Sequence, residues 1–249
     1  MEIELDLSLC VVAGSQSQPL RRLLRTVHET TEELGFECLV AETEESGASS
    51  LADEFPGLLV VRLVGLTRLA AANHLLRLSR GRYAALLDPD LQLRPHCLHR
   101  LVEFMDANPE VGLIAPRIID AYGRTEATCQ AFPRLLAWAG IPLLAPPPRL
   151  QSKTTEVEWC TSGLHLLRPE LLEELHGLDA ACGHLAELDL YWRARRQGWH
   201  RVYLFEAEAI HANPGRYRRG MSAPPAWPEQ VRVGLRFLKK QLLGRARAI

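Results

Sequence analysis

No run of the 249-residue sequence approaches the roughly 20 consecutive apolar residues that a membrane-spanning helix needs. The acidic opening Met1-Glu2-Ile3-Glu4 lacks the basic region of a signal peptide, so a cytoplasmic protein is expected. Cysteine is sparse. Cys10, Cys38, Cys97, Cys129, Cys160 and Cys182 are scattered without a CxxC, which excludes a disulfide framework and a cysteine zinc site and leaves buried thiols as the expectation. No GxGxxG follows the first apolar run, which excludes a dinucleotide-binding dehydrogenase. Excess charge is also missing: 29 basic against 30 acidic residues give a net charge of −1. The balance is uneven, since nine Lys/Arg from Arg216 onward face only Glu229. A basic tail on an acidic body argues against nucleic-acid binding, which spreads positive charge over a face of the fold. With 47% hydrophobic and 24% charged residues, the chain is globular and long enough for one large domain or two small ones.

Short apolar runs alternate with helical patterns. Leu5 to Ala13 reads as a strand, and Pro19 to Leu34 as a helix with Leu20, Leu23, Leu24 and Val27 on one stripe. Phe36 to Val40 is a second strand, followed by an acidic loop over 41–50. Leu58 to Leu63, Leu66 to Leu78 and Tyr83 to Leu87 continue as strand, helix and strand. Pro95 suits the first turn of a helix that reaches Asn108-Pro109, and Val111 to Ala115 is a further strand. The segment Ile141 to Pro148 is too proline-rich for a helix or a central strand and reads as a loop or lid. Beyond it come an extended stretch over Val157 to Leu167, helices from Pro169 and from Leu185 to Gln197, and a strand over Arg201 to Phe205. This alternation predicts an α/β fold with a mostly parallel sheet and helices on both faces.

Asp88 and Asp90 follow the fourth strand directly, at the carboxyl end where open α/β sheets collect ligands. Two carboxylates one residue apart can turn toward one divalent cation, which would complete its shell with phosphate and water. Asp-Pro-Asp is equally good turn chemistry. The segment Gly81 to Asp90, with Asn73 ahead of it, resembles the DxD region of family 2 glycosyltransferases, especially the rhamnosyltransferase-like bacterial branch. Similar stretches follow in order: Leu101 to Met105, Asn108 to Gly112, Glu158-Trp159-Cys160-Thr161-Ser162-Gly163, Leu167 to Glu170, Gly177-Leu178-Asp179, Leu185 to Arg193, and Glu206 to His211.

The resemblance covers roughly residues 5 to 219 and implies a GT-A fold and inverting transfer of a sugar from a nucleoside-diphosphate sugar to an acceptor hydroxyl. It implies Mg²⁺ or Mn²⁺ as cofactor, held by Asp88 and Asp90 with His211 completing the site. Asn73, Glu42 and Arg216 would serve the donor and its diphosphate, and Trp159, Ser162 and Gly163 the acceptor region. The family's base is the second acid of Glu-Asp-x-Asp-Leu. Here that stretch reads Ala186-Glu187-Leu188-Asp189-Leu190, which puts Glu187 on the base position and leaves Asp189 as the other candidate. Acids in a first helical turn also favour the helix dipole, whatever else they do. Arg216, Arg218 and Arg219 would neutralise a diphosphate or form a solvated charge cluster.

The nucleotide-gripping stretch departs from the family: Ala41-Glu42-Thr43-Glu44-Glu45-Ser46-Gly47 has no base-reading aspartate, and Glu42 is the nearest acid. A second reading is therefore a degenerate GT-A domain that binds without turnover. The expected organisation is a GT-A domain over 1–220, with a donor half to about 117 and an acceptor half from 118, then a proline-rich hinge and a basic amphipathic helix over 221–249. That helix, with Val231, Leu235, Leu238 and Leu242 on one stripe, would either lie on an anionic leaflet near a lipid-linked acceptor or dock on its own domain.

Overall fold

Apolar runs of five or six residues that are buried throughout cannot alternate inward and outward, so their strands must be covered on both faces. The computed structural model, which describes residues 5–15, 17–31, 34–44, 47–132 and 149–212 together with Lys239, has that arrangement. The elements are β1 (Leu7–Val12), α1 (Ser17–Thr30), β2 (Phe36–Glu42), β3 (Leu58–Arg62), α2 (Arg68–Leu78), β4 (Tyr83–Leu87), β5 (Leu91–Leu93) and α3 (Cys97–Ala107). They continue with β6 (Val111–Ile119), β7 (Cys129–Gln130), β8 (Thr155–Glu156), β9 (Trp159–Cys160), β10 (Leu164–Leu167), α4 (Pro169–Leu175), α5 (Ala186–Arg196) and β11 (His200–His211). The segment 141–148, Arg216, Arg218, Arg219 and the expected C-terminal helix lie outside the described residues. No helix among the described residues is long and apolar enough to cross a membrane.

The main sheet has the order β3-β2-β1-β4-β10-β6-β11-β5, with β8 also paired to β11, while β7 and β9 form a small separate sheet. β3, β2, β1, β4, β6 and β11 point one way, and β10, β5 and β8 run against them, so the sheet is mostly parallel as expected. Leu20, Leu23, Leu24 and Val27 of α1, with Leu98, Leu101 and Met105 of α3, cover one face. Ala72, Leu75 and Leu76 of α2, Leu171 and Leu175 of α4, and Leu188, Leu190 and Tyr191 of α5 cover the other. All six cysteines are buried free thiols, as expected, and burial pushes Cys97 up to about 12.

Several boundaries differ from the sequence reading. Pro95 precedes its helix: α3 starts at Cys97, after His96 in a left-handed conformation (φ 61°). Between Asp90 and that helix the chain forms β5, which the sequence reading passes over. The extended stretch over 157–167 is two strands, β9 and β10, separated by a turn at Gly163 with φ 66°. β2 runs two residues further than Val40 and takes in Glu42, and a 3-10 turn over Ala48–Leu51 shapes the loop that follows. β6 extends through Pro116 to Ile119, and β11 to His211. Pro116 sits opposite Leu204, where a register shift begins between β6 and β11, so the missing N–H coincides with an interruption of the ladder.

Arg168 closes the helix that follows the aspartates. Its guanidinium donates to the carbonyls of Met105 and Asn108 at the end of α3 and of Val111 at the start of β6, tying the helix end to the next strand. The turn before β4 is clamped equally firmly onto β1: the backbone N–H groups of Arg80 and Gly81 donate to Ser8 Oγ at 2.9 and 2.8 Å. A Cβ on Gly81 would approach the Leu7 carbonyl carbon to 2.5 Å and the Ser8 nitrogen to 2.6 Å. Because both neighbours are backbone in a central strand, Gly81→Ala is expected to lower stability by about 3 kcal/mol, at the upper end of overpacking effects. Urea unfolding checks this, and an unchanged midpoint would contradict it.

Candidate active site

β1 leads through α1 to β2 on one side, while β4 lies on its other side, so the order of connection reverses between β1 and β4. A crevice opens outside the carboxyl ends at such a point. Asp88 stands there, one residue past β4, and its N–H donates to Gly163 O at 2.7 Å. The chain then turns, with Leu91 N donating to Asp88 O, and enters β5. β5 pairs antiparallel with the end of β11 in the register Leu91 to His211, and Ala212 N donates to Asp90 O. This register brings His211 beside Asp90. His211 Nε2 lies 3.4 Å from Asp90 Oδ1, with the imidazole wholly buried and the carboxylate nearly so.

Asp88, Asp90 and His211 each offer a ligand atom, and these atoms lie within 4.8 Å of one another. Donors about 2.1–2.2 Å from a shared ion stand at most about 4.4 Å apart, so the set is within a few tenths of an ångström of closing on a cation. Two carboxylate oxygens and one imidazole nitrogen are a fitting donor set for a divalent ion that accepts both atom types. Arg68, which the sequence reading does not single out, is the further charged residue at this point. It stands in the first turn of α2, behind the Thr67 cap whose hydroxyl accepts from Ala70 N, and its guanidinium pairs with Asp88.

The two acids of α5 part company. Asp189 is fully buried and accepts from Arg193 Nε at 2.6 Å, while Arg193 also donates to the carbonyls of Leu175 and Gly177. Its carboxylate therefore anchors an arginine that satisfies the end of α4, and an acceptor hydroxyl has no access to it. Glu187 keeps 43% of its side chain exposed, with Oε2 3.7 Å from the buried Nε2 of His165 on β10. His165 Nδ1 in turn lies 3.1 Å from the Tyr191 hydroxyl. Burial holds the Tyr191 phenol well above its ordinary range.

The remaining candidates are placed less centrally. Asn73 on α2 makes a two-way bond to one backbone residue, donating to Leu178 O at 2.7 Å and accepting from Leu178 N at 2.8 Å. Glu42 ends β2 at the crevice side, but its carboxylate accepts from Ala48 N and Ser49 Oγ and faces Arg62, so it folds its own loop. Trp159 is buried with its indole N–H on Ala131 O. Ser162 is wholly buried, its hydroxyl bonded within the turn to Leu164, and of Trp159, Ser162 and Gly163 it is Gly163 whose carbonyl meets the aspartate segment, accepting from Asp88 N. Arg216 lies outside the described residues.

Glycosyl transferase family 2 matches residues 8–175, about two thirds of the chain. A comparison with curated proteins finds no sequence relative. Among solved structures, the chain is similar to GalNAc-T7 with UDP, GalNAc and Mn²⁺, at 14% identity and a TM-score of 0.66, covering 86% of this chain and 45% of that one. It is similar to the mannosyltransferase PcManGT from Pyrobaculum calidifontis in complex with GDP-Man and Mn²⁺, at 16% identity and a TM-score of 0.63, covering 95% and 70%. Residues 1–349 of S. aureus TarS give 13% identity and a TM-score of 0.60 over 88% and 64%. This chain thus spans less than half of the first of these structures. With the family match extending from β1 into α4 and the fold shared along nearly the whole described chain, the protein belongs to glycosyl transferase family 2 and has the GT-A fold.

Proposed function

We propose that the protein transfers a sugar from a nucleoside-diphosphate sugar to an acceptor hydroxyl, with inversion at the anomeric carbon. The observation that carries this reading is the convergence of Asp88, Asp90 and His211 at the switch point of the sheet, beside the strand over which Glu187 stands. A divalent cation held there would stabilise the charge left on the diphosphate as the glycosidic bond breaks. Asp88, Asp90 and His211 would hold the cation, and the half-exposed Arg68 would add positive charge at the rim. Glu187 takes the proton of the acceptor hydroxyl, whose oxygen attacks the anomeric carbon opposite the departing diphosphate; a single displacement inverts its configuration. The base role falls to Glu187 because Asp189 is sealed by Arg193.

The imidazole in the donor set favours Mn²⁺ over Mg²⁺, which prefers an all-oxygen shell. The Mn²⁺ complexes of GalNAc-T7 and PcManGT support the same choice, and their UDP and GDP-Man support a nucleotide-sugar donor. Arg216, outside the described residues, would also serve the diphosphate. The wider reading is a protein of the rhamnosyltransferase-like branch, in bacterial glycan assembly, with a glycan, lipid-linked or small-molecule acceptor and a peripheral membrane contact through residues 228–249. One observation favours the second reading, a GT-A domain that binds without turnover: the Glu42 carboxylate is committed to its own loop, which leaves the nucleoside pocket without an acid at that position.

Calorimetry with UDP, GDP and dTDP separates these readings. One nucleotide is expected to bind in the micromolar range with Mn²⁺, to lose binding in EDTA, and to weaken about tenfold or more in Asp90→Ala, the loss of one charged ligand. Absence of binding by all three would favour the non-catalytic domain. Glu187→Gln is expected to leave that binding unchanged and to slow nucleoside diphosphate release from the matching nucleotide sugar by about 10² to 10⁴, the usual contribution of a general base. An active Glu187→Gln variant would remove the base assignment.

A further inference from the structure

The helical turn that carries Glu187 begins without a side-chain cap: Leu185 precedes α5 and has no polar group to offer the free N–H groups there. The course of that turn therefore depends on how the preceding chain arrives. It arrives as a 3-10 turn over Ala180–Leu185, interrupted at Gly183, whose φ of 50° and ψ of −128° are not helical. Asp179 opens this turn, its carboxylate accepting from Ala181 N at 2.9 Å and its carbonyl from Cys182 N at 2.9 Å. Gly177 and Leu178 stand just ahead of it, and there the loop is held from two sides.

On one side Arg193 of α5 donates to Gly177 O at 2.9 Å. On the other, Asn73 of α2 donates to Leu178 O at 2.7 Å and accepts from Leu178 N at 2.8 Å. The orientation of this carboxamide is fixed by its partner, because a backbone N–H only donates and a carbonyl only accepts. The fit is close. Gly177 has a φ of 77°, and a Cβ there would come within 2.7 Å of Asn73 Oδ1. Leu178 is also 6% exposed and belongs to the core that contains Ala72 and Leu75 of α2, so polar and apolar contacts fasten one residue to one helix. α2 in turn lies on β1, and its Arg68 pairs with Asp88. The loop ahead of Glu187 is thus attached to the element that also touches the proposed metal site.

We infer that Asn73 is a positioning residue for Glu187: its carboxamide holds Leu178, fixes the loop over 177–185 from which α5 starts, and so sets the separation between Glu187 and the group formed by Asp88, Asp90 and His211. The inference rests on the reading of Glu187 as the base. It moves Asn73 from the donor site, where the family resemblance puts it, to the support of the acceptor side.

The test compares the full chain with Asn73→Ala, which removes both bonds, and with Asn73→Asp, which keeps the size and the acceptor but sets a carboxylate oxygen against Leu178 O. Without ligand, amide hydrogen exchange over residues 178–189 is expected to quicken about tenfold in Asn73→Ala, the loss of two hydrogen bonds, while β1 and β4 exchange as before. Calorimetry is expected to give the same affinity for the Mn²⁺ complex of the nucleoside diphosphate within about twofold, less than one lost hydrogen bond. Release of nucleoside diphosphate from the matching nucleotide sugar, per folded protein, is expected to slow by about 10 to 10²-fold, the effect of a displacement on the order of 1 Å. In a Glu187→Gln background Asn73→Ala is expected to slow it no further, because both changes act through one group. Asn73→Asp shifts exchange and rate in the same directions, and stands in should Asn73→Ala fail to fold. Unchanged exchange over 178–189 overturns the inference whichever nucleotide binds. Quickened exchange with an unchanged rate makes the residue merely structural and overturns it too, as does a rate loss that persists in full in the Glu187→Gln background. Tenfold weaker nucleotide binding returns Asn73 to the donor site. Full activity of Glu187→Gln alone removes the base assignment instead, and is told apart because neither exchange nor nucleotide affinity depends on it.

Discussion

The antiparallel pairing of the three-residue β5 with the end of β11 governs the whole site. Its register sets Leu91 against His211 and thereby lays an imidazole from the end of the described chain beside a carboxylate from the middle. Neither residue is a ligand by itself, and nothing local brings them together. Backbone hydrogen bonds do, and a slip of one residue would turn His211 to the opposite face of the sheet. The parts around it protect that register. Arg168 fastens the end of α3, Arg100 of α3 donates to the Glu206 carbonyl of β11, and Arg94 N donates to Glu208 O. The register shift between Leu204 and Glu208 brings the last residues of β11 back into pairing with β6 just before they meet β5.

A second constraint joins the two halves of the proposed reaction. β10 enters antiparallel between β4 and β6, so the strand that delivers Asp88 is hydrogen-bonded to the strand that seats His165 beneath Glu187. The proposed donor side and the proposed acceptor side are thus adjacent in one ladder, with Asp88 N bonded directly to Gly163 O. General-base catalysis requires such fixed separation, since a shift on the order of 1 Å in a reacting group costs about a hundredfold in rate.

Much of this was legible in the sequence where the signal is local. β1 to β4, α1, α2 and α5 are long enough for their periodicity to speak, and the position of Asp88 and Asp90 after an apolar strand was readable for the same reason. The short strands β5, β7, β8 and β9 were not, because two or three residues carry no period and exist only through distant partners. The apolar run of β11 is legible only to Phe205, because the charged Glu206 and Glu208 interrupt it at the irregular stretch of a longer strand. Glu187 and Asp189 read alike as first-turn acids, and only packing shows one sealed by Arg193 and the other open. His165 did leave a trace, as the single polar residue inside Leu164–Leu167, and Arg68 left none because its pairing with Asp88 depends on how α2 lies against β4.

The account depends most on the claim that Asp88, Asp90 and His211 close on one metal ion. Pulsed electron paramagnetic resonance of the protein with Mn²⁺ and its matching nucleoside diphosphate tests this directly, because a coordinated imidazole transfers spin density to its nitrogen. The expected result is a nitrogen hyperfine coupling from one histidine that disappears in His211→Ala. Bound Mn²⁺ with no such coupling in the unaltered protein, or with the coupling unchanged in the variant, would contradict the account.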